Sequence, residues 1–301
     1  LGIVIGLFLP NTDFHLNTEL FLALVIGPLL FRESEEADIT AILKHWRIIV
    51  YLIFPVIFIS TLSLGGLAHL LWFSLPLAAC LAVGAALGPT DLVAFASLSE
   101  RFSFPKRVSN ILKGEGLLND ASGLVAFQVA LTAWTTGVFS LGQASSSLIF
   151  SILGGFLIGF LTAMTNRFLH SFLLSVRATD IASELLLELS LPLVTFFLAE
   201  EVHVSGIIAV VVAGILKASR FKKITLLEAQ VDTVTETVWH TVNFMLNGSV
   251  FVILGMELEM IAEPILTNPI YNPLLLLLSL VALTFVLFAI RFVMIYGYYA
   301  Y

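Results

Sequence analysis

Ten apolar runs, separated by short polar or Gly/Pro-containing stretches, take up most of this 301-residue chain. They lie near residues 1–9, 18–31, 46–65, 75–97, 114–136, 146–166, 182–199, 204–216, 233–257 and 271–300. A bilayer core takes about 20 apolar residues per helical crossing, so a chain of this length has room for roughly nine to eleven crossings. The spacing predicts an all-α polytopic membrane protein, a single transmembrane domain over residues 1–301. The run at 204–216 is short for a full crossing and would need tilting or extension. With 59% apolar residues, 12% charged residues and a mean hydropathy of +1.03, a water-soluble domain or a disordered tail is excluded.

Lys and Arg set the orientation, because they are retained in cytoplasmic loops. Arg32, Lys44 and Arg47 fall in one loop; Arg101, Lys106, Arg107 and Lys113 in the next but one; then Arg167 and Arg177; then Lys217, Arg220, Lys222 and Lys223. The intervening stretches near residues 10–17, 66–74, 137–145, 200–203 and 258–270 contain neither Lys nor Arg. Basic loops in strict alternation place the chain in a cell membrane as a multi-pass protein with those loops cytoplasmic. The basic residues form no long cluster and the net charge is -7, which argues against nucleic acid as a partner. The lone Cys80 cannot form an intrachain disulfide. The six histidines fall in loops or at helix ends, so neither a metal site nor a cofactor is expected.

Thirteen of the fourteen basic residues are thus accounted for, and Arg291, inside the last apolar run, is left needing a partner. The same filter isolates Asp91, Glu115 and Asp120 among the acids. Charge at membrane depth is costly and normally faces a water-filled cavity or a counter-charge. At ~1.5 Å per residue, Asp91, Asp120 and Arg291 fall roughly 10–14 Å from the inner boundary, at one level. Glu184 and Glu188 share a helix face near a cytoplasmic end and read as interfacial charges rather than as the lining of a funnel.

Two short stretches concentrate the chemistry. In Gly84–Asp91, Pro89 removes a helical hydrogen bond and crowds the preceding turn, so the helix should break there and expose carbonyls beside the Thr90 hydroxyl. Unwound backbone of this kind suits a hard cation such as sodium. Pro55 and Pro192 read as simple kinks. In Lys113–Gly123, Glu115 and Asn119 share a face and are placed to meet Arg291, whereas Asp120 lies about 140° round from Glu115. Flanked by Gly116 and Gly123, Asp120 is expected to face an open space and to hold either a proton or a cation.

Gly114–Asp120, together with Gly88–Asp91, Val204–Ala209, Leu246–Gly248 and Arg291, resembles the bacterial sodium/proton antiporters of the cation:proton antiporter-1 type. These are the NhaP-like relatives of animal sodium/hydrogen exchangers, and the resemblance runs the length of the chain. It implies an inverted-repeat antiporter bundle, usually a homodimer, whose core domain moves against a dimerisation domain to give alternating access. It further implies electroneutral exchange of one sodium for one proton, with Asp120 as the shared site. Thr90 and Asp91 would contribute from the unwound helix beside Pro89, Asn119 and Glu115 would give polar support, and Arg291 would be the counter-charge. Some relatives have Ser where this chain has Gly116, and many place an acid directly after Leu29–Phe31, where this chain has Arg32 before Glu33. Against the family pattern the first helix looks clipped and the last two absent.

Three other readings compete. A passive cation channel would use the broken helix equally well. An intramembrane aspartyl protease would pair Asp91 with Asp120, but the Gly-x-Gly-Asp element is missing and Asn119 and Arg291 would have no role. A serine hydrolase built on Ser205 and His203 lacks an orienting acid.

Overall fold

The computed structural model describes residues 2–8, 17–90, 102–137, 141–176, 180–218, 226–267 and 272–300, and all the regular structure among them is helical. In chain order the helices are α1 (Gly2–Phe8), α2 (Thr18–Phe21), α3 (Gly27–Glu36), α4 (Ile39–Lys44), α5 (Trp46–Tyr51), α6 (Ile57–Leu71) and α7 (Leu77–Leu87). There follow α8 (Lys106–Thr136), α9 (Leu141–Ser175), α10 (Ile181–Glu201), α11 (Gly206–Ala218), α12 (Leu226–Thr267) and α13 (Pro273–Ala300). Two wide π-turns, Leu22–Ile26 and Leu52–Val56, join α2 to α3 and α5 to α6.

Among the described residues, five stretches are long and apolar enough to cross a membrane: Trp46–Leu71, Ile149–Leu173, Ile181–Glu201, Thr233–Leu258 and Leu274–Tyr298. They match five of the ten apolar runs. Leu77–Leu87 and Gly206–Ala218 are shorter apolar helices on two more, while α8 starts at Lys106, eight residues before its apolar run. Helix ends carry capping residues where the sequence supplies them. Asn17 accepts from the Glu19 and Leu20 amides at 3.1 and 3.2 Å. Asp180 and Ser183 form a reciprocal capping box at the start of α10. Asn272 caps α13, whose first residue is proline.

The chain divides into two compact units. Unit 1 comprises Leu1–Glu36 and Phe150–Tyr271. Its centre is α11, which packs on α3 and α10 and buries Ile207, Ala209, Val210, Val211 and Ala213. At its basic end, Lys217 Nζ pairs with Glu35 at 3.1 Å and with Glu188. Arg32 pairs with Glu35 and Glu36 at 3.0 and 2.7 Å and lies 5.9 Å from the ring centre of the fully buried Trp239. Glu184 pairs with His170 at 3.1 Å. Glu188 is therefore engaged in an ion pair and Glu184 in a contact with the His170 imidazole within this unit.

Unit 2 comprises Ala37–Ile149 and Asn272–Tyr301 and contains the candidate site. In it α7 packs on α6 and α8, and α13 on α6. The α6–α7 crossing is close because it is built on glycines: a Cβ on Gly84 would stand 2.8 Å from the Gly65 amide nitrogen. One core cluster joins Ile48, Ile49, Leu52, Ile53, Val56, Ile57 and Ile111, with Met294 and Tyr298 packed against it. A second joins Leu64, Ala68, Cys80 and Leu283. Pro55 is not a simple kink, since it sits inside the π-turn Leu52–Val56, where the wider turn accommodates a ring that clashes with an ordinary helix. Pro192 lies inside an unbroken α10.

Candidate ion-binding site

Helix α7 ends at Leu87, and the Gly88 amide makes only a long 3.4 Å bond to the Ala85 carbonyl before Pro89, which has no amide hydrogen. The helix end expected at Gly88–Pro89 is present at that point. Thr90 is the last residue described on this side; Asp91 lies outside the described residues. The Thr90 hydroxyl donates to Glu115 Oε1 at 3.4 Å and accepts from Asn119 Nδ2 at 3.0 Å, which ties the broken end to α8.

On α8, Glu115 and Asn119 are one turn apart and both buried, with 2% and 0% exposure. Glu115 Oε1 accepts from Arg291 Nη1 at 3.1 Å and from Asn119 Nδ2 at 3.4 Å. Arg291 also donates through Nη2 to the Gly88 carbonyl oxygen at 2.6 Å. The partner that the sequence demanded for Arg291 is therefore Glu115, joined by a backbone carbonyl at the helix break. Buried charges of opposite sign in direct contact cancel locally, which is the condition for leaving either in an apolar setting.

Asn119 is the singular member of the group. Its amide nitrogen is engaged twice, yet its carbonyl oxygen Oδ1 is buried without a hydrogen-bond partner among the described residues. Buried acceptors are nearly always satisfied, so this oxygen is open to a further donor or a cation. Asp120 follows directly on the same helix; its side chain lies outside what the structure describes. Gly116 is buried. A Cβ on Gly123 would overlap the Pro89 ring, so α8 rests directly on the segment that follows α7; the open space expected at Asp120 concerns a side chain outside the described residues.

The site thus brings Pro89, Thr90, Glu115, Asn119 and Arg291 together and places Asp120 in the adjoining helical position. Sequence reasoning missed the Arg291–Gly88 bond and the Gly123–Pro89 contact. The signal for the second was a glycine facing a proline, but nothing in the spacing paired them.

An all-helical fold with membrane-length helices, one of them packed through a buried ion pair onto a helix end at a proline, defines a class, that of helical multi-pass membrane proteins. The family model described as "Sodium/hydrogen exchanger, transmembrane" matches residues 1–301, and the chain belongs to that family. It is 34% identical over 300 residues to the sodium, potassium, lithium and rubidium/H(+) antiporter of Bacillus pumilus, covering 100% of this chain and 45% of that protein. It is 35% identical over 292 residues to the antiporter of the same description from Bacillus subtilis, covering 97% of this chain and 44% of that one. The chain therefore spans less than half the length of these relatives. Among solved structures, the sodium proton antiporter MjNhaP1 from Methanocaldococcus jannaschii matches with a TM-score of 0.60 at 18% identity, covering 85% of this chain and 68% of that one. At that identity the likeness is one of fold.

Proposed function

We propose that the protein of which this chain is part exchanges a monovalent cation, sodium first, for protons across the cytoplasmic membrane, with Asp120 as the site both occupy in turn. The observation that carries the reading is Asn119: a fully buried carboxamide with an unpartnered oxygen, next to Asp120 and bonded to the hydroxyl of a broken helix. Thr90 Oγ1 and Asn119 Oδ1 are hard oxygen donors of the kind that replace a sodium hydration shell. Because Glu115 is engaged by Arg291, Asp120 carries the exchangeable charge. Cation and proton compete for it, and an empty carboxylate is disfavoured from crossing, which couples the two flows.

In this reading Asp91 adds a ligand or a second charge near the break, Gly116 leaves room for water, and the exchange is one for one. A core domain carrying Asp120 moves against a dimerisation domain in a homodimer, and the basic loops face the cytoplasm. Neither the intramembrane protease nor the hydrolase reading has a use for the Glu115–Arg291–Gly88 arrangement.

The test is made with the full-length protein in everted vesicles. Adding NaCl to vesicles with an imposed pH gradient should dissipate the gradient without a change in membrane potential, and Asp120→Asn should abolish that response. A potential change without proton movement would favour the channel. Exchange retained by Asp120→Asn would remove the role assigned to that residue.

A further inference from the structure

Helix α12 contains a polar feature that the site in unit 2 does not use. Its membrane-length portion, Thr233–Leu258, is the least apolar of the membrane-length stretches among the described residues, and its buried residues are Thr235, Trp239 and Gly255. Asn243 and Asn247 lie one turn apart, about 4 Å and about 2 Å on either side of the middle of that span. Both are half-buried, and the Asn243 Oδ1 atom is sealed off with no hydrogen-bond partner among the described residues. One turn nearer the basic end is Trp239, fully buried, with Nε1 donating to Glu188 at 3.4 Å and Arg32 over its ring. A carboxamide at the centre of a bilayer is tolerated where it meets another polar group or water, and polar residues at that depth mark ion pathways.

We infer that Asn243 and Asn247 form a hydrated cation track on unit 1, separate from the binding residues of unit 2. The track ends at Trp239, whose ring and the ion pairs of Arg32 with Glu35 and of Lys217 with Glu35 and Glu188 seal the basic side. The unpartnered Asn243 oxygen is the last position on it, and it is hydrated when the seal opens. The carboxamide oxygens favour a partly dehydrated monovalent cation over an anion. This deepens the exchange reading, since it specifies where the transported ion passes on this unit.

Thiol accessibility tests it in the full-length protein in membrane vesicles of both orientations. Asn243→Cys and Asn247→Cys are compared with Leu254→Cys, a residue 54% exposed on the same helix. The reagent is a cationic, membrane-impermeant methanethiosulfonate, and the unmodified protein is the blank. Only a thiolate reacts, and thiolates form in water rather than lipid, so Asn247→Cys should react roughly tenfold or more faster than Leu254→Cys. Excess NaCl should slow it and excess choline chloride should not. Asn243→Cys should be reactive under a sodium gradient and slow without one. Asn247→Ser, which keeps a polar side chain, supplies a second readout, a raised cation KM with maximal rate retained. Rates equal to that of Leu254→Cys, reaction indifferent to sodium, or disulfide cross-linking of Asn243→Cys between two copies would each overturn the proposal. Sodium-protected labelling in a protein that fails to exchange would leave the track standing and remove the exchange reading instead.

Discussion

Arg291 Nη2 donates to the carbonyl oxygen of Gly88 at 2.6 Å, so a guanidinium deep in one helix caps the broken end of another. The same side chain holds Glu115 at 3.1 Å. Its planar fork allows both bonds at once, which a lysine ammonium on a flexible stem does not reproduce.

Removing one half of that pair should therefore damage the fold. Arg291→Ala leaves Glu115 buried and unpaired, a change that costs about 3–5 kcal/mol in comparable sites. Thermal unfolding in detergent, followed by size-exclusion fluorescence, should show a large fall in Tm. Arg291→Lys should recover part of it, and the double variant Glu115→Gln with Arg291→Ala should be more stable than Arg291→Ala alone. Equal stability of the single and double variants would show that the pair is not what holds the break.

Asn119→Leu removes the bonds to Thr90 and Glu115 along with the unpartnered oxygen. With each lost hydrogen bond worth about 1 kcal/mol, cation KM should rise on the order of tenfold. The measurement is cation-dependent proton release in vesicles, with Tm as the control; an unchanged KM would separate Asn119 from the cation.

Gly123 touches the Pro89 ring, and there is no room for a methyl group. Gly123→Ala should destabilise by about 1–3 kcal/mol through overpacking. Because the displaced partner is the break itself, the exchange rate should fall further than the loss of folded protein explains, which rate per mole of folded protein would show.

Acid should loosen one defined helix end. The Ser183 hydroxyl and amide hold the Asp180 carboxyl below its ordinary range. A carboxyl depressed in the folded state stabilises at pH above its unfolded value, about 3.9, and that stabilisation is lost as pH falls through the folded value. Amide protection over residues 181–184 should thus be steady from neutral pH to about 4 and decline below it. Asp180→Asn, still able to cap, should show no such decline, and Asp180→Ala should lack the protection throughout.

Much of this was legible in the residues themselves. Pro89 beside Gly88 announced the break, and Arg291 could be assigned a carboxylate because a lone cation at membrane depth cannot stand unpaired. Glu184 and Glu188 read as interfacial charges; in the fold Glu188 pairs with Lys217 and Glu184 meets His170, partners the spacing did not supply. What stayed hidden depends on contacts between residues far apart in the chain. Gly88 offers Arg291 only a backbone carbonyl, which leaves no trace in side-chain type, and Gly123 meets Pro89 through the absence of a side chain. The π-turn at Leu52–Val56 was hidden for a different reason. A proline near a helix middle signals a kink, a break and a wide turn alike, and only packing chooses among them.

The π-turn at Leu52–Val56 sets how the helix around it tolerates change. Buried positions Ile48, Leu52, Val56, Ser60, Leu64 and Ala68 recur every four residues, a stride that an ordinary helix would wind away from its neighbours by about 200° over that length. One surplus residue held in the wide turn recovers about half of that rotation. A single-residue deletion there would not merely shorten the helix: it would swing Ser60 and Leu64 from the interior round toward the acyl chains, so this stretch should accept substitutions far more readily than changes in length.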